Sequence, residues 1–168
     1  MERILIYIGI DFAASIVIAL LLRRFVCAFV LVKGRSMLNT LQNHELMLVL
    51  RYGLFGKPRR YDIVICRYPN RKQLFVKRVI GLPGETIAMT DGQVLINGEI
   101  LEERFPKRTT PRSFDEIQLG ENEYFVMGDN RPCSVDSRSI RVGPIQEKML
   151  LGRAKCVIFP FQKRRKLV

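Results

Sequence analysis

Histidine is almost missing from this sequence: His44 is the only one in 168 residues. Any histidine-based triad would hang on that single side chain. Cysteine is sparse as well. Cys27, Cys66, Cys133 and Cys156 are scattered with no C-x-x-C spacing, so neither a structural zinc site nor a disulfide-built scaffold is supported. Acidic residues are outnumbered, 16 against 28 lysines and arginines, for a formal net charge of +12. There is no internal repeat and no low-complexity tract. A 48% hydrophobic and 26% charged composition excludes a disordered chain. The length suits one domain.

The hydrophobic residues that are present are unevenly spread. Residues 4–22 are apolar apart from Asp11 and Ser15, a run of 19. That is close to the ~20 residues a helix needs to span the hydrocarbon core. A cleaved signal peptide would have a shorter apolar region, ~7–15 residues, ending at small residues. Here Leu20, Leu21 and Leu22 lead into Arg23 and Arg24. The reading is a retained membrane anchor over 1–24 followed by a body over 25–168, with a buried core helix as the plainer alternative. Asp11 is costly at a membrane centre if ionised. Lysine and arginine near the two ends of the run favour a cytoplasmic body on a naive positive-inside count.

Residues 1–24 hold Arg3, Arg23 and Arg24 against Glu2 and Asp11, so the body carries +11. Such a charge suits anionic lipid headgroups or nucleic acid. The run Lys163-Arg164-Arg165-Lys166 could serve either, although a solvated tail is its ordinary reading.

The body reads as strands and turns. Strands are expected at Phe25–Val32, Leu46–Leu50, Ile63–Cys66, Leu74–Ile80, Gln93–Ile96, Glu99–Leu101, Tyr124–Met127 and Val157–Phe161. Asn97-Gly98 is a strong two-residue hairpin signal. No stretch after the anchor has clean helical periodicity, so an all-β body of antiparallel ribbons is expected, with one core. Residues 102–123, charged and containing Pro106 and Pro111, read as an exposed excursion.

Three polar islands interrupt the apolar strands, at 34–41, 75–85 and 128–138. Val76 and Val79 flank Lys77-Arg78, so simple alternation leaves one of the two cations pointing inward. A buried lysine has a lowered pKa and becomes a usable general base. A serine beside it is an activated nucleophile, as in the Ser-Lys variants of the triad. The third island offers Ser134 to orient the lysine, and Asp129, Asp136, Arg131 and Arg138 for ion pairs.

The three islands in this order resemble the boxes of the bacterial type I signal peptidases. The serine box, Ser-Met-x-Pro-Thr-Leu, reads Ser36-Met37-Leu38-Asn39-Thr40-Leu41 here. The lysine box, Lys-Arg-Val-Ile-Gly-x-Pro-Gly-Glu, is matched in full by 77–85. Gly-Asp-Asn-Arg-x-x-Ser-x-Asp-Ser-Arg is matched in full by 128–138. The departures are Asn39 where the family has proline, His44-Glu45 where Gly-Asp is usual, and Gly34 where some relatives place an oxyanion-hole serine. Ser139–Val142 is also a longer spacer than in many relatives. His44 reads as a turn residue.

The resemblance implies a mainly β protein: a single N-terminal transmembrane helix and an all-β body of antiparallel sheets on the extracytoplasmic side. It implies a membrane-bound serine endopeptidase that removes signal peptides from secreted preproteins. Ser36 would be the nucleophile and Lys77 the base. Ser134, Asp129, Asp136 and Arg138 would support them. With no side-chain donor at Gly34, backbone N–H groups, Ser36 first, would form the oxyanion hole. Val32, Met37, Leu41, Phe75 and Val76 would line shallow apolar pockets. Membrane lipids and the secretion translocon are the implied neighbours. Neither a metal, an organic cofactor nor a nucleic acid is implied. The alternatives are a catalytically silent relative acting in assembly, and a basic membrane-tethered binding module. Self-cleavage, as in the SOS-repressor group, is disfavoured by the anchor.

Overall fold

The computed structural model describes residues 2–21, 25–53 and 56–167. Among these residues there is one α-helix, α1, which spans Glu2–Leu21, and every described side chain on it is exposed. The side chains of residues 2, 3, 5 and 6 and the whole of 22–24, with Arg23 and Arg24, lie outside the described set. Among the described residues no helix is long and apolar enough to cross a membrane.

The described residues of the body form twelve strands: β1 (Cys27–Leu31), β2 (Leu46–Arg51), β3 (Ile63–Arg67), β4 (Leu74–Gly81), β5 (Thr86–Thr90), β6 (Gln93–Ile96), β7 (Glu99–Ile100), β8 (Phe114–Gln118), β9 (Glu123–Met127), β10 (Ile145–Gln146), β11 (Leu150–Phe159) and β12 (Arg165–Lys166). The larger sheet runs β1-β2-β11-β3-β4-β9-β10, with β12 also paired to β11; the smaller runs β7-β6-β5-β8. All the strand pairs are antiparallel. The expected hairpin is there: Asn97 and Gly98 both have positive φ (52° and 82°), and β6 and β7 pair across them. Two left-handed residues are what the tightest twisted hairpins require.

Several expectations change. Residues 102–123 are not a simple excursion. They contain β8, the buried Leu119, and Phe105 and Phe114 packed on the core. Glu103 is also drawn in, to pair with the buried Arg131. The core is not single either. Two clusters fill the large sheet, and a third joins the small sheet to it through Ile80, Phe125 and Met127. The strand expected at Val157–Phe161 is β11, which begins at Leu150, ends at Phe159 and is the longest among the described residues. Its first half alternates apolar residues with Arg153 and Lys155, and register shifts in its pairing with both β2 and β3 blur the period. Finally, 163–166 is not a free tail, because Arg165 and Lys166 form β12 against Val157 and Cys156.

Candidate active site

The serine turn follows β1 directly. Gly34 has φ +99° and gives its N–H to Asn43 Oδ1 at 3.0 Å. The chain then winds tightly, with Thr40 N–H and Leu41 N–H both donating to Met37 C=O (3.1 and 2.8 Å). Met37 and Leu41 are buried in the core beside Met47, Val49, Ile63 and Ile65. Both ends of the turn are thus stapled, and Ser36 is presented from a fixed support. Asn39 sits at φ +88°. A proline cannot adopt that angle, so this turn differs in hand from one built on proline, and is not merely looser.

β4 supplies Lys77 and Arg78. Sequence alternation left one of them inside; the structure buries both, at 2% and 1% exposure. Their surroundings explain how each is tolerated. Arg78 is neutralised: Nε and Nη2 donate to the two oxygens of Asp129 (2.9 and 2.7 Å), Nη1 donates to Tyr61 C=O, and the guanidinium lies over the Phe105 ring. Thr40 Oγ1 donates to the same carboxylate, which joins the serine turn to the pair. Among the described residues no carboxylate contacts Lys77. Its Nζ lies 2.6 Å from Ser36 Oγ and 3.1 Å from Val76 C=O. Burial therefore lowers the Lys77 pKa from the ordinary 10.5, against weaker upward pulls from Asp136, Cys66 and Asp129.

The third island backs this contact. Asn130 N–H donates to Ser36 C=O (3.0 Å) and Asn130 Nδ2 to Arg35 C=O (2.9 Å). Asp136 is fully buried. It accepts Gly128 N–H at 2.9 Å and is gripped by Arg138 Nε and Nη2 at 2.8 and 2.9 Å. Gly128 is required for space, since a Cβ there would collide with Ser134 Oγ. Ser134 itself makes no hydrogen bond to Lys77. Its Oγ is buried without a partner among the described residues, against Gly128. Thr40 and Asn130, both inside the matched boxes, were not expected as site residues, and box membership was the signal that could have found them.

Ser36 and Lys77 open on a groove of about 640 Å³ lined by 29–34, Met37, Ile65 and 73–76. Val32, Gly34, Met37, Phe75 and Val76 all lie along it. Leu41 does not: it is packed beneath the turn. β1 is an edge strand, and β9 pairs with β4 only from Arg78 onward. Two strand edges, β1 and the first half of β4, thus flank the groove. Ser36 N–H donates to no acceptor among the described residues. Among those residues no group of three or more His, Cys, Asp or Glu is placed to hold a metal ion.

The model of a family described as signal peptidase, peptidase S26, matches residues 5–159. The chain belongs to the signal peptidase family. Signal peptidase I S of Bacillus subtilis (strain 168) is 38% identical over 164 residues, covering 90% of this chain and 88% of that protein. Signal peptidase I of Bacillus licheniformis is 37% identical over 163 residues, covering 90% and 87%. A crystal structure of a signal peptidase I from Enterococcus faecalis V583 aligns with a TM-score of 0.48 and 31% identity, over 58% of this chain and 97% of that one. As a member of this family the chain is a serine endopeptidase of the signal peptidase I kind.

Proposed function

We propose that the chain removes N-terminal signal peptides from secreted preproteins by Ser-Lys catalysis, with Ser36 as nucleophile and Lys77 as general base. One observation carries this reading: a lysine 2% exposed, with no contacting carboxylate among the described residues, 2.6 Å from a serine hydroxyl. The preprotein segment lies extended in the groove between β1 and β4, where main-chain hydrogen bonds give affinity and alternate side chains enter the pockets. Ser36 Oγ attacks the scissile carbonyl as neutral Lys77 takes the hydroxyl proton. Ser36 N–H faces the oxyanion. Lys77 then returns the proton to the leaving amine, leaving an ester on Ser36. A water, deprotonated by Lys77, resolves that ester and restores the serine. Asp129 with Arg78, and Asp136 with Arg138, hold the loops that set this geometry. Ser134 fills the space beside Gly128 behind Ser36. The Ser36–Lys77 contact also favours catalysis over a silent assembly role.

α1 is the membrane anchor in this reading. The described helix is not by itself long and apolar enough to cross, so the reading rests on the sequence, whose apolar run of residues 4–22 approaches the ~20 residues a span needs. Ile8, Phe12, Ile16, Val17 and Leu20 are all exposed. A helix apolar around its circumference is stable only when covered, and lipid supplies that cover. The body then lies on the extracytoplasmic side, by likeness to the family, with membrane lipids and the translocon as neighbours. The test is cleavage of a reporter preprotein by the detergent-solubilised full chain. Ser36→Ala should abolish cleavage with the fold intact; wild-type turnover by that variant would sink the assignment.

A further inference from the structure

The family match ends at residue 159, yet the chain beyond it returns to the site. After Phe159 it makes a 3₁₀ turn at Phe161–Lys163 and then adds β12 to β11. Leu167 N–H closes the segment onto Lys155 C=O at 2.8 Å. Arg165 projects from this strap. Its Nη1 and Nη2 donate to the two carboxylate oxygens of Glu45 (2.9 and 2.8 Å), and Nη2 also donates to Thr40 C=O. Lys163 Nζ donates to Gln42 Oε1 in the same loop.

The points held are those that frame the nucleophile. Thr40 closes the serine turn on Met37 C=O and bonds Asp129. Glu45 is 1% exposed; its carboxylate accepts Gln42 N–H at 2.9 Å, and its backbone C=O accepts Val32 N–H at 2.8 Å on the wall of the groove. Burial alone would raise the Glu45 pKa. The hydrogen bonds from Arg165 and Gln42, with the charges of Arg165 and Lys163, outweigh it and hold the carboxyl below its ordinary value.

We propose that Arg165 is a positioning residue: the C-terminal strap clamps the serine turn through Thr40 C=O and Glu45, and so sets the approach of Ser36 to Lys77. Arg165 touches neither substrate nor the reacting atoms. Its effect belongs in kcat, because misplacing a nucleophile by about 1 Å costs up to ~100-fold in rate. KM reports the groove between β1 and β4, which the strap does not line.

The inference rests on Ser36 and Lys77 being the dyad, so Ser36→Ala is assayed in parallel and fails or stands independently. The test is steady-state cleavage of a reporter preprotein by the full chain in detergent, with thermal unfolding of each variant. Arg165→Ala is expected to lower kcat by about tenfold or more, with KM within about twofold. Arg165→Lys keeps the charge but not the forked bonds, and should fall between. Glu45→Gln/Arg165→Ala removes both charges. It should regain thermal stability without regaining kcat, because the Thr40 bond is still missing. If Arg165→Ala does not fold, this double variant carries the kcat comparison. Wild-type kcat in folded Arg165→Ala, or kcat recovering together with stability in the double variant, would overturn the proposal.

Discussion

Replacing Asp136 by alanine perturbs the site in two separable ways. The first is stability. The Asp136 side chain is 0% and that of Arg138 6% exposed, and the carboxylate also accepts Gly128 N–H. Removing one partner of a buried ion pair costs about 3–5 kcal/mol, because the remaining charge stays desolvated. At ~2–4 °C per kcal/mol for a chain of this size, the melting temperature should fall by about 6–20 °C. Asp136→Asn keeps an acceptor for Gly128 and should lose less. The second effect is on the base. Asp136 is the strongest charge holding the Lys77 pKa up. Without it the pKa falls further, lysine is neutral at lower pH, and the acid limb of the pH–rate profile moves to lower pH. Thermal unfolding followed by circular dichroism reads the first effect; kcat/KM against pH reads the second. A melting temperature unchanged by Asp136→Ala, or an acid limb that moves upward, would refute this account of the third island.

Asn39→Pro, although it restores the family residue, should lower cleavage by about tenfold or more, since φ +88° is closed to proline; Asn39→Gly should keep activity. A maleimide near neutral pH should label the exposed Cys133 in the native protein. It should reach Cys66 only after unfolding, because burial encloses that thiol and pushes its pKa up to about 12; mass mapping of the adducts checks both. Protease added to intact spheroplasts should digest residues 25–168, and full protection until lysis would reverse the proposed topology.

The parts of the fold that were legible in the sequence are those set by local chemistry. Asn97-Gly98 needs only its own two backbone angles. β3 declares itself as a continuous apolar run, and β4 as one interrupted only by Lys77 and Arg78. β8 and the first half of β11 were missed because charged residues break their period. Asp115 and Glu116 in β8 are exposed, and β11 draws its pairing from β2 and β3, two strands far away in the chain. Within the site, the boxes located Ser36, Lys77, Asp129, Asp136 and Arg138, but not what each would touch. Lys77 and Arg78 look equivalent in sequence. Only the position of Asp129, 51 residues from Arg78, separates a neutralised arginine from a lysine with no carboxylate in contact. Arg165 was invisible for the same reason: its partners Glu45 and Thr40 lie 120 and 125 residues away.

The central claim is that neutral Lys77 activates Ser36, and the most direct test is the pH dependence of preprotein cleavage by wild type and Lys77→Arg, each checked for an unchanged fold. Burial lowers the Lys77 pKa below 10.5, so the neutral fraction, and with it kcat/KM, should rise as pH climbs through that pKa and vanish in acid. Arginine stays protonated at any usable pH, so Lys77→Arg should be inactive throughout. Normal cleavage by folded Lys77→Arg, or a wild-type rate that does not rise with pH, would contradict the Ser-Lys mechanism.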